Sequence, residues 1–151
     1  MTNIMSGEAQ RKLTAGTGPV SKATGTLAAT TISLFTVTGT VMVTAIWGKV
    51  TTSVTVANSY KLQHNPTTGT TSDLVAATDI GTVDTPAGSL LSFDGVKTSS
   101  IQQGPGSVGT LMRPIILEAG VIESVSAGTD GEITWYLTYV PITDDGSVVA
   151  A

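Results

Sequence analysis

The chain of 151 residues contains no cysteine, which excludes disulfide scaffolds, thiolate metal sites and cysteine nucleophiles together. Charge is scarce as well: 12% of the residues are charged, against about 25% in an ordinary soluble domain. Seven are Lys or Arg and eleven are Asp or Glu, so the phosphate-neutralising patch of a nucleic-acid binder is not expected. Histidine occurs once, as His64, whereas a zinc site takes three or four His, Cys or carboxylate ligands. No secretory leader is expected, because Glu8, Gln10, Arg11 and Lys12 stand where its apolar core belongs; cytoplasmic synthesis is the default. Residues 23–48 carry no charge and are long enough for a bilayer span of about 20 residues. Their many threonines, with Gly25 and Gly39, suit strands and a turn better than a membrane helix, and no membrane association is expected.

What the chain does have is threonine and valine, whose β-branched side chains favour a pleated, half-buried surface. Residues 31–37 (TISLFTV) read as a strand, turned by Thr38, Gly39 and Thr40 into a second over residues 41–50 (VMVTAIWGKV). Strict alternation puts Val41, Val43, Ala45 and Trp47 on one face of that second strand and Met42, Ile46 and Val50 on the other. Both faces are apolar, as expected of a central strand or one covered by a partner. Further short strands are expected at 53–57, 60–64, 72–77, 89–93, 110–117 and 121–125, bounded by Gly, Pro and Asp turns. Residues 132–140 alternate Ile133, Trp135, Leu137 and Tyr139 against Thr134, Tyr136 and Thr138, which turns Tyr136 away from the core.

This pattern predicts an all-β fold, a β-sandwich or jelly roll of about eight short antiparallel strands over residues 31–151. Residues 1–30 are poor in large apolar side chains and contain Glu8, Arg11, Lys12 and Lys22. They read as an extended N-terminal arm, because such a segment buries too little to offset the entropy of ordering it.

Catalytic signals are weak. Gly104, Gly106 and Gly109 match the glycine spacing of a dinucleotide site, but that motif needs a strand feeding a helix, and the following β-branched run is interrupted by Pro114. His64 precedes a Pro turn and is expected to pack beside Leu62 rather than serve as a general base. The acid pairs Asp130 with Glu132 and Asp144 with Asp145 fall in expected turns, where carboxylates usually cap their own backbone; calcium binding or glycoside hydrolysis would need them gathered round a site. Of the aromatic residues, Trp135 and Tyr139 are expected in the core and Tyr136 outside it. No catalytic residue, metal ligand or cofactor is assigned.

A charge-poor chain with surplus apolar faces points to assembly. Met42, Ile46 and Val50 are the self-association candidates. The segments VMVTAIWGKVTTSV, KLQHNPTTGTTSDLVAATDI and EITWYLTYVPITDDGSVV resemble the small Thr-rich β proteins among the structural components of tailed bacteriophages. That resemblance implies capsid decoration, or cement: a homotrimer on the outer capsid surface of the virion, contacting the major capsid protein. Arg11, Lys12 and Lys22 would then be the arm's contacts with the shell. The alternatives are a head-fibre, spike or tail module touching the host, or a small carbohydrate-active domain using Asp130, Glu132 or Asp144.

Overall fold

The computed structural model describes residues 6–109 and 112–151. The chain enters through a short helix, α1 (Gly7–Ala15). The side chain of Ser6 caps it by accepting a hydrogen bond from the Ala9 N–H at 3.2 Å, relieving one of the unpaired donors of the first turn. Glu8 and Lys12, one turn apart, form an ion pair at 3.1 Å. Gly16 ends the helix at φ +85°, where a Cβ would lie 2.7 Å from the Tyr139 carbonyl oxygen, so a larger residue would fail there on both counts.

Twelve strands follow among the described residues: β1 (Thr17–Thr26), β2 (Thr31–Thr38), β3 (Val41–Thr52), β4 (Ser59–Pro66), β5 (Ser72–Asp73), β6 (Thr78–Asp79), β7 (Ser89–Ser92), β8 (Gln102–Pro105), β9 (Ile115–Leu117), β10 (Gly120–Val125), β11 (Glu132–Pro141) and β12 (Ser147–Ala150). They form two antiparallel sheets and a β-sandwich. The first sheet runs β1-β11-β3-β7-β8, with β9 also paired to β3; the second runs β12-β2-β10-β4-β5, with β6 also paired to β4.

The expectation of a free arm reaching residue 30 is corrected. Thr17–Thr26 is an edge strand, paired to β11 from Thr17 opposite Tyr139 to Thr26 opposite Glu132. Its small residues look like linker composition, yet an edge strand draws much of its hold from backbone pairing and needs few large side chains. Thr24 also helps, its hydroxyl accepting the Ile133 N–H at 3.1 Å. Leu27, 1% exposed, then pins the exit of the strand into the core.

Two bulges decide which residues face inward. Across β3 and β11, Ala45 stands opposite Thr138 but Val43 opposite Tyr139, leaving Thr44 as the extra residue. Across β2 and β10, Phe35 pairs with Ile122 and Ser33 with Glu123, leaving Leu34 extra. A bulge resets the alternation downstream. Leu34 and Phe35 are therefore both fully buried, and Val41, Val43, Ile46 and Val50 all join the core. Strict alternation along residues 41–50 fails at Thr44 for this reason.

Trp135 and Tyr60 occupy the centre of the core, one from each sheet, both without exposed surface. Their rings stack at 6.1 Å and 6°, and the indole N–H donates to the Tyr60 hydroxyl at 2.8 Å. A large apolar pair thus spans the two layers with its polar tips satisfied.

Candidate functional site

Residues directly opposite on neighbouring strands share a face of the sheet, so the pairing register defines what the outside of the first sheet presents. At one end Met42 stands opposite Ile116 on β9 and Val140 on β11, making an apolar row across three strands. Ile116 is 66% exposed. Beyond the bulge, Trp47 stands opposite Tyr136, and their rings stack with centroids 5.5 Å apart and planes 9° from parallel. Both side chains are half-buried.

Between row and pair, the C-terminal end of α1 approaches the sheet. The Thr44 hydroxyl donates to the Ala15 carbonyl at 3.2 Å and shares a 2.8 Å hydrogen bond with the Thr138 hydroxyl. A groove of about 500 Å³ lies there, lined by Thr14, Ala15, Thr44, Ala45, Trp47 and Thr138. None of these six side chains can ionise, and the face carries charge only at its margins, at Lys49 two residues beyond Trp47, at Glu118 two residues beyond Ile116, and on α1. The face is therefore mostly apolar or hydroxylic, a composition that loses little on desolvation.

The expected contact residues fall in different places. Arg11 and Lys12 are exposed on α1. Lys12 is engaged with Glu8, whose carboxyl is held below its ordinary pKa by the hydrogen bond and charge of Lys12 and then by Arg11. Arg11 makes no salt bridge among the described residues. Lys22 lies within β1 and its Nζ donates to the main-chain oxygen of Ala151, so it ties β1 to the residue after β12 instead of extending on an arm.

Of the three self-association candidates, Met42 alone is on the outer face. Ile46 and Val50 are 3% and 0% exposed, and the bulge at Thr44 is what turned them inward; they are core residues, not surface contacts. Tyr136 faces outward as expected, but covered on one side by Trp47. Ile116 and Val140 were not singled out, and Trp47 was grouped with Val41, Val43 and Ala45 rather than with Tyr136, because their proximity is a property of the register and not of any one segment.

His64 is buried, and its Nε2 lies 3.1 Å from the Glu118 carbonyl. A carbonyl can only accept, so Nε2 carries the proton and burial lowers the pKa of the ring. Asp130 is a loop latch: one carboxylate oxygen accepts from the Thr55 N–H and hydroxyl at 2.8 and 2.7 Å, the other from the Val56 N–H at 3.2 Å. These bonds, the Thr55 hydroxyl first, hold its pKa below the ordinary value. Glu132 begins β11, and Asp144 is exposed in the turn before β12. Pro105 ends β8, and among the described residues the next element after Gly109 is the strand Ile115–Leu117, not the helix a dinucleotide site needs. Among the described residues no group of three or more His, Asp or Glu could hold a metal ion, and no helix is long and apolar enough to cross a membrane.

No protein-family model, curated protein or solved structure matches this chain.

Proposed function

We propose that the chain is a non-enzymatic structural protein of a bacteriophage virion, a decoration or cement protein that binds the outside of the head and bridges neighbouring major capsid protein subunits. The observation that carries this reading is the outer face of the first sheet. Ile116, Met42 and Val140 form an apolar row, Trp47 and Tyr136 a stacked pair, and α1 stands beside them with Arg11 exposed. Aromatic side chains and arginine are the residue types that most often anchor protein interfaces. In this reading sister copies meet across the apolar face as a homotrimer, and the exposed side of α1 meets the shell. A standard interface buries about 1,600 Å² in total, and many modest contacts repeated over a lattice hold it collectively.

The experiment is to add purified protein to phage heads stripped of their decoration protein. Saturable binding that raises the temperature of head disruption supports the reading, with Arg11→Glu weakening it. Absence of binding to heads, or binding to host cells in its place, refutes it.

A further inference from the structure

At the end of the sandwich away from the aromatic pair, β5 and β9 each pair with a strand on one side only, and the two sheets part. The opening is a cleft of about 480 Å³, within the range of about 300–1,000 Å³ typical of small-molecule sites. Its apolar wall is continuous with the core: Leu74 and Leu117 are 4% and 6% exposed, and Ile115 packs against the same cluster.

The polar side of the cleft has one cation. Lys97 Nζ lies 3.3 Å from the Ser72 hydroxyl, and Thr68 and Thr70 add hydroxyls to the same rim. Lys97 has no carboxylate partner among the described residues, and the acids around it are engaged elsewhere. Asp73 pairs with Lys61 at 2.6 Å. Glu118 lines the cleft too, with its Oε2 turned to the Thr40 hydroxyl, from which it accepts at 3.1 Å. Asp94 accepts the Val96 N–H and the Ser99 hydroxyl, both at 2.9 Å, which fixes the turn that presents Lys97. His64 completes the back of the cleft, its Nε2 proton committed to the Glu118 carbonyl.

An unpaired ammonium beside hydroxyls, facing a wall of Leu and Ile, is complementary to an anionic head on a hydrocarbon body. With one cation, one carboxylate and no arginine lining it, the cleft suits a singly charged carboxylate held at the Lys97 end better than a phosphate, which usually draws a bidentate arginine or a nest of backbone donors. We propose that this cleft binds a small amphiphilic carboxylate, its head on Lys97 and its body over Leu74, Ile115 and Leu117. The site meets the face that carries the proposed assembly only at Ile116, which lines the cleft and stands opposite Met42; Lys97, Leu74, Ile115 and Leu117 belong to neither the apolar row nor the aromatic pair.

The test is a titration of the full chain with sodium octanoate, followed by methyl NMR. The expected result is saturable shifts at Leu74, Ile115 and Leu117, with affinity weakened about tenfold in Lys97→Met, equivalent to about 1.4 kcal/mol, and kept within about threefold in Lys97→Arg. Octan-1-ol should bind wild type no better than octanoate binds Lys97→Met. Lys97 is exposed, so neither substitution endangers the fold, and unchanged shifts outside the cleft check this. Unsaturable shifts, shifts centred on Trp47 or Met42, or equal affinity in wild type and Lys97→Met overturn the proposal.

Discussion

Trp47 on β3 and Tyr136 on β11 stand directly opposite each other on the outside of the sandwich, rings stacked 5.5 Å apart. A second stacked pair, Tyr60 and Trp135, lies in the core at 6.1 Å. Only the inner pair is sealed from water, and this separates what holds the fold from what is free to bind.

Removing the outer pair should therefore cost association more than stability. Trp47→Ala should lower unfolding free energy by about 0.5–1.5 kcal/mol, the worth of an aromatic pair, measured by urea titration. The same substitution should weaken self-association by at least about 2 kcal/mol, as for an interface hot spot, measured by sedimentation velocity. Equal and small effects on both would remove Trp47 from the interface.

Asn58 is expected to be among the most sensitive polar positions. It is fully buried, and its Oδ1 accepts the N–H groups of Ala127 and Gly128, each at 3.0 Å, while its Nδ2 donates to the Ser126 hydroxyl at 2.9 Å. Gly128 lies so close that a Cβ would come within 2.7 Å of the Asn58 side chain. Asn58→Ala strands the Ala127 and Gly128 N–H groups at about 1–3 kcal/mol each, while the Ser126 hydroxyl keeps the Gly128 carbonyl, so a total loss of about 2–6 kcal/mol in urea unfolding is expected.

Truncation distinguishes helix from strand. A chain beginning at Thr17 keeps both sheets and should melt within about 4 °C of the full chain, given that 1 kcal/mol corresponds to about 2–4 °C at this size. A chain beginning at Leu27 lacks β1 and exposes the backbone edge of β11, and it should aggregate. Solubility and thermal melts of the two forms check this, and a soluble, cooperative Leu27 form would contradict the assignment of β1.

Acid should destabilise the protein in two stages. The pKa of His64 is lowered by burial, so the unfolded chain takes up a proton first as pH falls. Stability is then full above the unfolded value of about 6.5 and declines as pH drops through it toward the folded pKa. Asp79 and Asp130 are shifted below their ordinary values, Asp79 first by the Thr82 hydroxyl and Asp130 first by the Thr55 hydroxyl. Their contribution is complete above about 3.9 and is lost as pH falls through the folded pKa values. Melting temperatures between pH 7 and pH 3 should show both declines; His64→Gln should remove the first and Asp130→Asn should shrink the second.

The strands with regular alternation were legible in the sequence. Residues 132–140 became Glu132–Pro141, residues 31–37 became Thr31–Thr38 and residues 41–50 became Val41–Thr52. Trp135 and Tyr139 are buried as their positions implied. β1 was not legible because TGPVSKATGT carries no apolar period, and its place depends on β11, more than a hundred residues away. α1 left only local traces, the Ser6 cap and the Glu8 to Lys12 spacing. Residues 53–57 form no strand, only a bridge from Val54 to Thr85, and of 110–117 only Ile115–Leu117 is a strand, residues 110 and 111 lying outside the described residues. The outer apolar and aromatic face was hidden for one reason: a single extra residue, Thr44, reverses every side chain after it, and no periodicity along one strand reveals a bulge set by its neighbour.

The most direct test is the mass of the purified protein by sedimentation equilibrium from micromolar to near-millimolar concentration. An account in which the outer face of the first sheet is covered by sister copies predicts a particle three times the 15.3 kDa chain, reverting to single chains in Trp47→Ala. A wild-type particle that stays at one chain across the whole range would contradict it.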